Sequence, residues 1–174
     1  MSTSIFAVAK THSQAEAIVD SLQLAGFALS DISVLYPDSG GRHDVGHVVA
    51  SKAPEGIATG ATTGGILGGT LGLLAGIGAL AIPGLGPFIA AGPIMGALSG
   101  MAAGATAGGV VGGLIGLGIP EVEAKRYEEK LKTGNYLISV NTDAKGADDK
   151  VTEIFKAHEA EDIVKTTDAA VPKA

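Results

Sequence analysis

Residues 56–120 read GIATGATTGGILGGTLGLLAGIGALAIPGLGPFIAAGPIMGALSGMAAGATAGGVVGGLIGLGIP. This stretch of 65 residues has no Asp, Glu, Lys, Arg or His, and it holds 21 of the chain's 27 glycines. All 30 charged residues fall in the other 109 of the 174. The chain is therefore built of two materials, a charged frame and an uncharged Gly/Ala/Leu/Ile insert. A glycine content of this size points to collagen only with a triplet period and abundant proline. Here Pro is only 7 and the period is four.

The segment Ile82 to Phe88 (IPGLGPF) carries turn residues and divides the insert. Before it, Gly56, Gly60, Gly64, Gly68, Gly72 and Gly76 recur every four residues. After it, Gly92, Gly96, Gly100, Gly104, Gly108, Gly112 and Gly116 do the same. A step of four keeps positions on one face of a helix. The register thus predicts a glycine-zipper helical hairpin with arms Ile57 to Ile82 and Phe88 to Gly118. At about 1 kcal/mol per glycine relative to alanine, the thirteen in register cost on the order of 13 kcal/mol of helix stability. Close backbone packing is the natural offset, and small-xxx-small stripes permit it, characteristically in membranes. A disordered linker is the weaker reading, because Leu67, Leu71, Leu73, Leu74, Ile77 and Leu80 lie between the glycines.

As helices the arms would be about 39 and 46 Å long. Both exceed the roughly 30 Å hydrocarbon core of a bilayer. The absence of charge permits insertion, and Lys52, Lys125 and Arg126 at the base place the frame on the cytoplasmic side. The missing aromatic belt argues against insertion, since Phe88 is the only aromatic residue in the window. The alternative is burial inside a water-soluble homo-oligomer. Membrane association is the preferred expectation; in either case an apolar surface of this size should not stay in water.

The frame reads as two similar halves. Ser4 to Lys10 is short, apolar and β-prone. Ser13 and Glu16 have capping-box spacing, Ala15, Ile18, Val19 and Leu22 recur at helical spacing, and Gly26 is placed to stop that helix. Asp31 to Tyr36 is a second strand. The order repeats with Tyr136 to Asn141, a helix from about Ala147 to His158, and a last strand Asp162 to Thr166. Two β-α-β units predict an α+β, ferredoxin-like four-stranded antiparallel sheet with two helices on one face. A separate helix, Pro120 to Thr133, connects insert to frame. Pro120 suits its first position, Glu121 and Glu123 its positive end, and Ala124, Tyr127 and Leu131 its apolar side. The expected organisation is 1–55 for the first half with a polar loop, 56–119 for the hairpin, and 120–174 for the connecting helix, second half and tail.

Candidate chemistry is sparse. The absence of Cys removes disulfides and thiolate metal sites. A net charge of -6 argues against nucleic acid as a partner, since no basic excess meets the phosphates. Lys10 interrupts the first apolar run, so no signal peptide is expected. His43, Asp44 and His47 could ligate a metal if their segment were helical, but Gly40, Gly41 and Gly46 favour an ordinary loop. The glycines lack the strand, helix and lysine context of a phosphate loop. Ser99 and Thr59, Thr62, Thr63, Thr70 and Thr106 read as helix-interior hydroxyls, and no Ser/His/acid pattern indicates hydrolysis. No enzyme activity and no cofactor are expected.

Three runs carry a family likeness: KAPEGIATG (52–60), GIGALAIPGLGPFIAAGPIMGAL (76–98) and GIPEVEAKRYEEKLKTGNYLISV (118–140). Together with AEDIVKTTD (160–168), they resemble bacterial general stress and low-temperature-induced proteins, related to the heat-induced domain of unknown function. The likeness covers most of the chain, with Asn135 standing where such proteins often have a further Gly. It implies a bacterial, stress-linked role and supplies no catalytic residues. The expected function is a non-enzymatic structural or interaction protein that assembles with copies of itself, in or on a membrane. The alternative is a ferredoxin-like small-molecule binding or sensing module, a soluble homo-oligomer with an apolar interior.

Overall fold

The computed structural model describes residues 3–37, 78–82, 86–92, 94 and 109–167. In chain order the elements are β1 (Thr3–Ala9), α1 (His12–Leu24), β2 (Ile32–Pro37), β3 (Gly78–Ile82), β4 (Gly86–Ala91), α2 (Gly109–Gly116), α3 (Glu121–Lys132), β5 (Tyr136–Thr142), α4 (Ala147–Ala157) and β6 (Glu161–Thr167). The fold is α+β. Among the described residues, six strands form one sheet in the order β3-β4-β2-β5-β1-β6, with every neighbouring pair antiparallel.

The frame strands lie where the sequence places them, to within a residue or so. β5 lies between β1 and β2, with Ile5 opposite Val140 and Val34 opposite Ile138. The predicted stripe Ala15, Ile18, Val19 and Leu22 is fully buried on the sheet. The cap of α1 differs from the expected one. Thr11, not Ser13, is the N-cap, and its side chain accepts from the Gln14 amide at 3.1 Å. Gln14 reaches back to the Lys10 amide at 2.7 Å. The box therefore sits two residues earlier, and Glu16 is left to turn inward toward His12. The helix stop at Gly26 is as expected, with φ +96.

Both faces of the sheet are covered. On one face α1 and α4 pack Ile18, Leu22, Val151 and Phe155 against Ile5, Ala7, Val34, Ile138 and Val140. On the other, α2 and α3 pack Val110, Leu114, Ala124, Tyr127 and Leu131 against Phe6, Val8, Leu35, Phe88 and Leu137. The apolar side predicted for the connecting helix is the side it buries. A sheet buried on both faces requires near-continuous apolar strands, and SIFAVA (4–9) and YLISV (136–140) are of that kind.

The insert departs from two unbroken helical arms. Residues 78–82 and 86–91, expected near the ends of those arms, are strands that extend the frame's sheet. The physical reason lies in the register itself. A step of four is a multiple of the strand's period of two as well as close to a helical turn, so the glycine spacing does not choose between them. Pro87 opposes a helix interior, and the IPGLGPF segment divides two strands rather than two helices. Gly92 therefore belongs to no helical stripe. It lies just past β4 with φ +84, against the backbone of β2.

Part of the second arm is helical, as α2. Its buried side is Val110, Gly113 and Leu114, continued by Leu117, while Gly116 is exposed and Gly112 partly so. A Cβ built on Gly112 would meet nothing within 4 Å. Gly112 and Gly116 thus do not mediate the packing of α2 on the frame. Gly56, Gly60, Gly64, Gly68, Gly72, Gly76, Gly96, Gly100, Gly104 and Gly108 lie outside the described residues. Among the described residues, no helix is long and apolar enough to cross a membrane.

Candidate functional site

The feature that joins the two materials of the chain is the β3–β4 pair. β4 lies beside β2, with Tyr36 opposite Ile89 and Val34 opposite Ala91. β3 then lies outside β4, with Leu80 opposite Phe88. The attachment is sealed where the chain leaves β4. A Cβ on Gly92 would clash with the Ile32 carbonyl oxygen and lie 2.9 Å from Ser33 Cα. Two residues on, the Ile94 amide donates to the buried Ser33 Oγ at 3.1 Å. Phe88, Ala90 and Ile94 are buried in the same cluster as the α2 and α3 side chains. Uncharged sequence from the insert thus supplies two strands of the sheet and one helix of its second cover.

A polar cluster lies on the opposite face, at the start of α1. His12 Nε2 is 3.1 Å from Glu16 Oε1, one helical turn apart. The His12 ring meets Tyr136 edge-on at 5.6 Å, and Tyr136 stacks on Tyr36 at 4.9 Å. Burial, and secondarily the Glu16 charge, push the Tyr136 phenol above its ordinary pKa. The arrangement places an imidazole and a carboxylate within ion-pair distance beside an aromatic wall. No group of three or more His, Asp and Glu that could hold a metal occurs among the described residues.

A third cluster pins α3 to the end of β6. The Tyr127 hydroxyl donates to the Asp162 carbonyl oxygen at 2.5 Å. Arg126 reaches Asp162 Oδ1 at 3.2 Å. Glu161 takes Lys10 Nζ at 2.6 Å on one oxygen and Lys130 Nζ at 2.8 Å on the other. These two ammonium groups hold the Glu161 carboxyl down at about 2, from 4.5. A depressed carboxylate contributes stability that is present above its unfolded pKa and lost as pH falls through the folded one. The wild type should lose stability between about pH 4.5 and about 2, and Glu161→Gln should lose less over that interval. Urea midpoints of both proteins across the interval measure this; parallel curves would remove Glu161 from the acid response.

His43, Asp44 and His47 lie outside the described residues. Of the thirteen glycines in register, Gly92, Gly112 and Gly116 are described, and the structure brings none of these three together as a stripe. Sequence reasoning did not single out the His12–Glu16 pair or Ser33. The signal for the first was present. His12 and Glu16 are four residues apart, and Glu16 adjoins Ala15 on the buried side of the helix, where an ordinary solvated carboxylate is not expected. Ser33 carried no signal, since its role depends on a chain segment 61 residues away. Comparison with protein-family models, with curated proteins and with solved structures returns no match to this chain.

Proposed function

We propose that this chain is a non-enzymatic structural or interaction protein that associates with copies of itself through its charge-free segment. The observation that carries the reading is that this segment contributes one of the two edge strands of the sheet among the described residues. The charge-free stretch is thereby presented on a folded scaffold. The frame itself we take as ferredoxin-like. The order β2-β5-β1-β6, with α1 and α4 on one face, supports that arrangement. On this reading β3 and β4 are an addition at one edge, and α2 and α3 cover the face that such a sheet can leave to solvent.

Membrane association and packing of the glycine register belong to the same proposal. Their support is the run of 65 residues without a charge or histidine and the expectation that such a surface is withdrawn from water. The resemblance to bacterial general stress proteins supplies the setting, a stress-linked role in a bacterial cell.

Light scattering on the purified chain, in buffer and in mild detergent, should give a mass above one subunit. Carbonate-washed membranes from the host should retain the protein. A monodisperse monomer in both solvents would overturn the self-association reading. Complete release by carbonate would overturn the membrane part. Gly68→Leu and Gly100→Leu should each lower the oligomer mass or its thermal stability. No change in either variant would remove the glycine register from the assembly.

A further inference from the structure

Among the described residues, the two edges of the sheet are built differently. β6 is an irregular, charged edge. Its pairing with β1 shifts register between Phe6 and Val8, Asp162 has φ 50, and Glu161, Asp162 and Lys165 all lie on it. These are the devices by which a protein discourages edge-to-edge pairing. β3, at the other edge, has none of them. It reads GALAI, without charge or proline.

Two prolines settle which way the backbone groups of β3 point. In an antiparallel ladder, hydrogen-bonded and non-hydrogen-bonded pairs alternate, and a proline has no N–H to exchange. Pro87 stands opposite Ala81, and Pro37 stands opposite Phe88. Pro87 makes Ala81–Pro87 a non-hydrogen-bonded pair, so Leu80 with Phe88 and Gly78 with Ala90 exchange the bonds between β3 and β4. Pro37 independently makes Pro37–Phe88 non-hydrogen-bonded, which leaves the Phe88 amide and carbonyl for β3. The two constraints agree. The amide and carbonyl groups of Ala79 and Ala81 therefore point away from β4, to the outer edge.

We infer that this edge is an interface between two copies of the chain, joined by antiparallel pairing of their β3 strands about a two-fold axis at Leu80. The inference rests on the self-association reading above and assigns it a surface. With Leu80 opposite its counterpart, Ala79 of each copy faces Ala81 of the other. Both outward-facing residues then exchange hydrogen bonds, and the two sheets become one. A second copy fits this edge because the pairing is self-complementary and closes after two subunits. Pairing of β3 with β6 would be open-ended, and β6 is protected. A strand with no charge neither repels its own copy nor selects a charged partner.

The chain has no cysteine, which makes the register directly readable. Leu80→Cys should cross-link to its counterpart on mild oxidation with diamide. Directly opposed residues of a non-hydrogen-bonded pair lie about 4.5 Å apart at Cα, within disulfide reach. Ile82→Cys should not cross-link, since its counterpart would lie about 14 Å along the ladder. Ala79→Pro and Ala81→Pro remove outward amides only and should halve the native mass while the thermal midpoint stays within a few degrees. Equal cross-linking at 80 and 82, or an unchanged mass in both proline variants with wild type still oligomeric, would overturn this interface and leave self-association standing. A wild type that is monomeric at every concentration would overturn both. Ala79 and Ala81 amides protected from exchange in a concentration-independent way would mean that the edge is covered by its own chain, and would overturn the interface.

Discussion

Replacing Gly92 with alanine should destabilise the protein by about 3 kcal/mol or more. Two terms add. A left-handed backbone costs an L residue about 1–2 kcal/mol, and Gly92 has φ +84. Forcing an extra carbon into a filled site costs typically about 1–3 kcal/mol. Here the obstructing atoms are the Ile32 carbonyl oxygen and Ser33 Cα of β2, which cannot rotate away as a flexible side chain could. Gly26 is the control. It has φ +96, yet a Cβ there meets nothing within 4 Å. Gly26→Ala should therefore show only the conformational term, about 1–2 kcal/mol. Urea unfolding of the two variants separates the contributions, and equal losses would refute the close approach of Gly92 to β2. Amide exchange in Gly92→Ala should rise first in β4, because the clash lies between that strand's exit and β2.

Tyr127→Ala should have an effect of similar or larger size, about 3–5 kcal/mol. Tyr127 is the largest fully buried side chain among the described residues, and it fills the space between α3 and the sheet. Its hydroxyl satisfies the Asp162 carbonyl, at a position where β6 has left-handed backbone. Tyr127→Phe keeps the volume and removes only that bond, so it should cost about 1 kcal/mol. Near-equal losses in the two variants would mean that packing is not the larger part. Burial, helped by the Asp162 and Glu123 charges, pushes the Tyr127 phenol well above 10.0. With the folded pKa raised, the contribution is fully present below about pH 10 and is lost as pH rises through the folded value. Alkaline unfolding of wild type should therefore begin above about pH 10, and less steeply in Tyr127→Phe.

These expectations bear on how the fold was written in the chain. The frame was legible because each of its elements is local. The stripe of α1 buries at the residues its periodicity names, and α3 buries Ala124, Tyr127 and Leu131. The cap of α1 was misplaced by two residues because Thr11-x-x-Gln14 and Ser13-x-x-Glu16 both have the required spacing. What decided between them was the burial of Glu16 beside His12 and Tyr136, a tertiary contact. The second cover of the sheet was half legible. The strands SIFAVA and YLISV are apolar at both parities, which a sheet with one solvated face does not need.

The glycine register shows why periodicity alone can mislead. Spacing by four fits one helical face and one strand face alike. Only partners distinguish them. β2 offers β4 a strand edge, Pro37 and Pro87 fall where the ladder needs no amide, and Gly92 allows the chain to pass across Ile32 and Ser33. Of these, only the Ala81–Pro87 pairing lies within the insert; the β2 edge and the Ile32 and Ser33 backbone do not. The His12–Glu16–Tyr136–Tyr36 cluster was missed for the same reason, since its members come from α1, β5 and β2.

By itself the sequence determined the two β-α-β units of the frame, the helix that leads back into it, the confinement of all charge to the flanks, and the exclusion of disulfide chemistry. Each follows from composition or from a period measured along a few turns of chain. Only the tertiary structure decided that the middle of the uncharged segment joins the sheet as strands, and that β3 and β6 are its two edges among the described residues. Strand pairing is a property of two segments together. β3 meets one side of β4 from within the same short stretch, but the other side is met by β2, more than 50 positions away, and no short window of sequence contains that pairing.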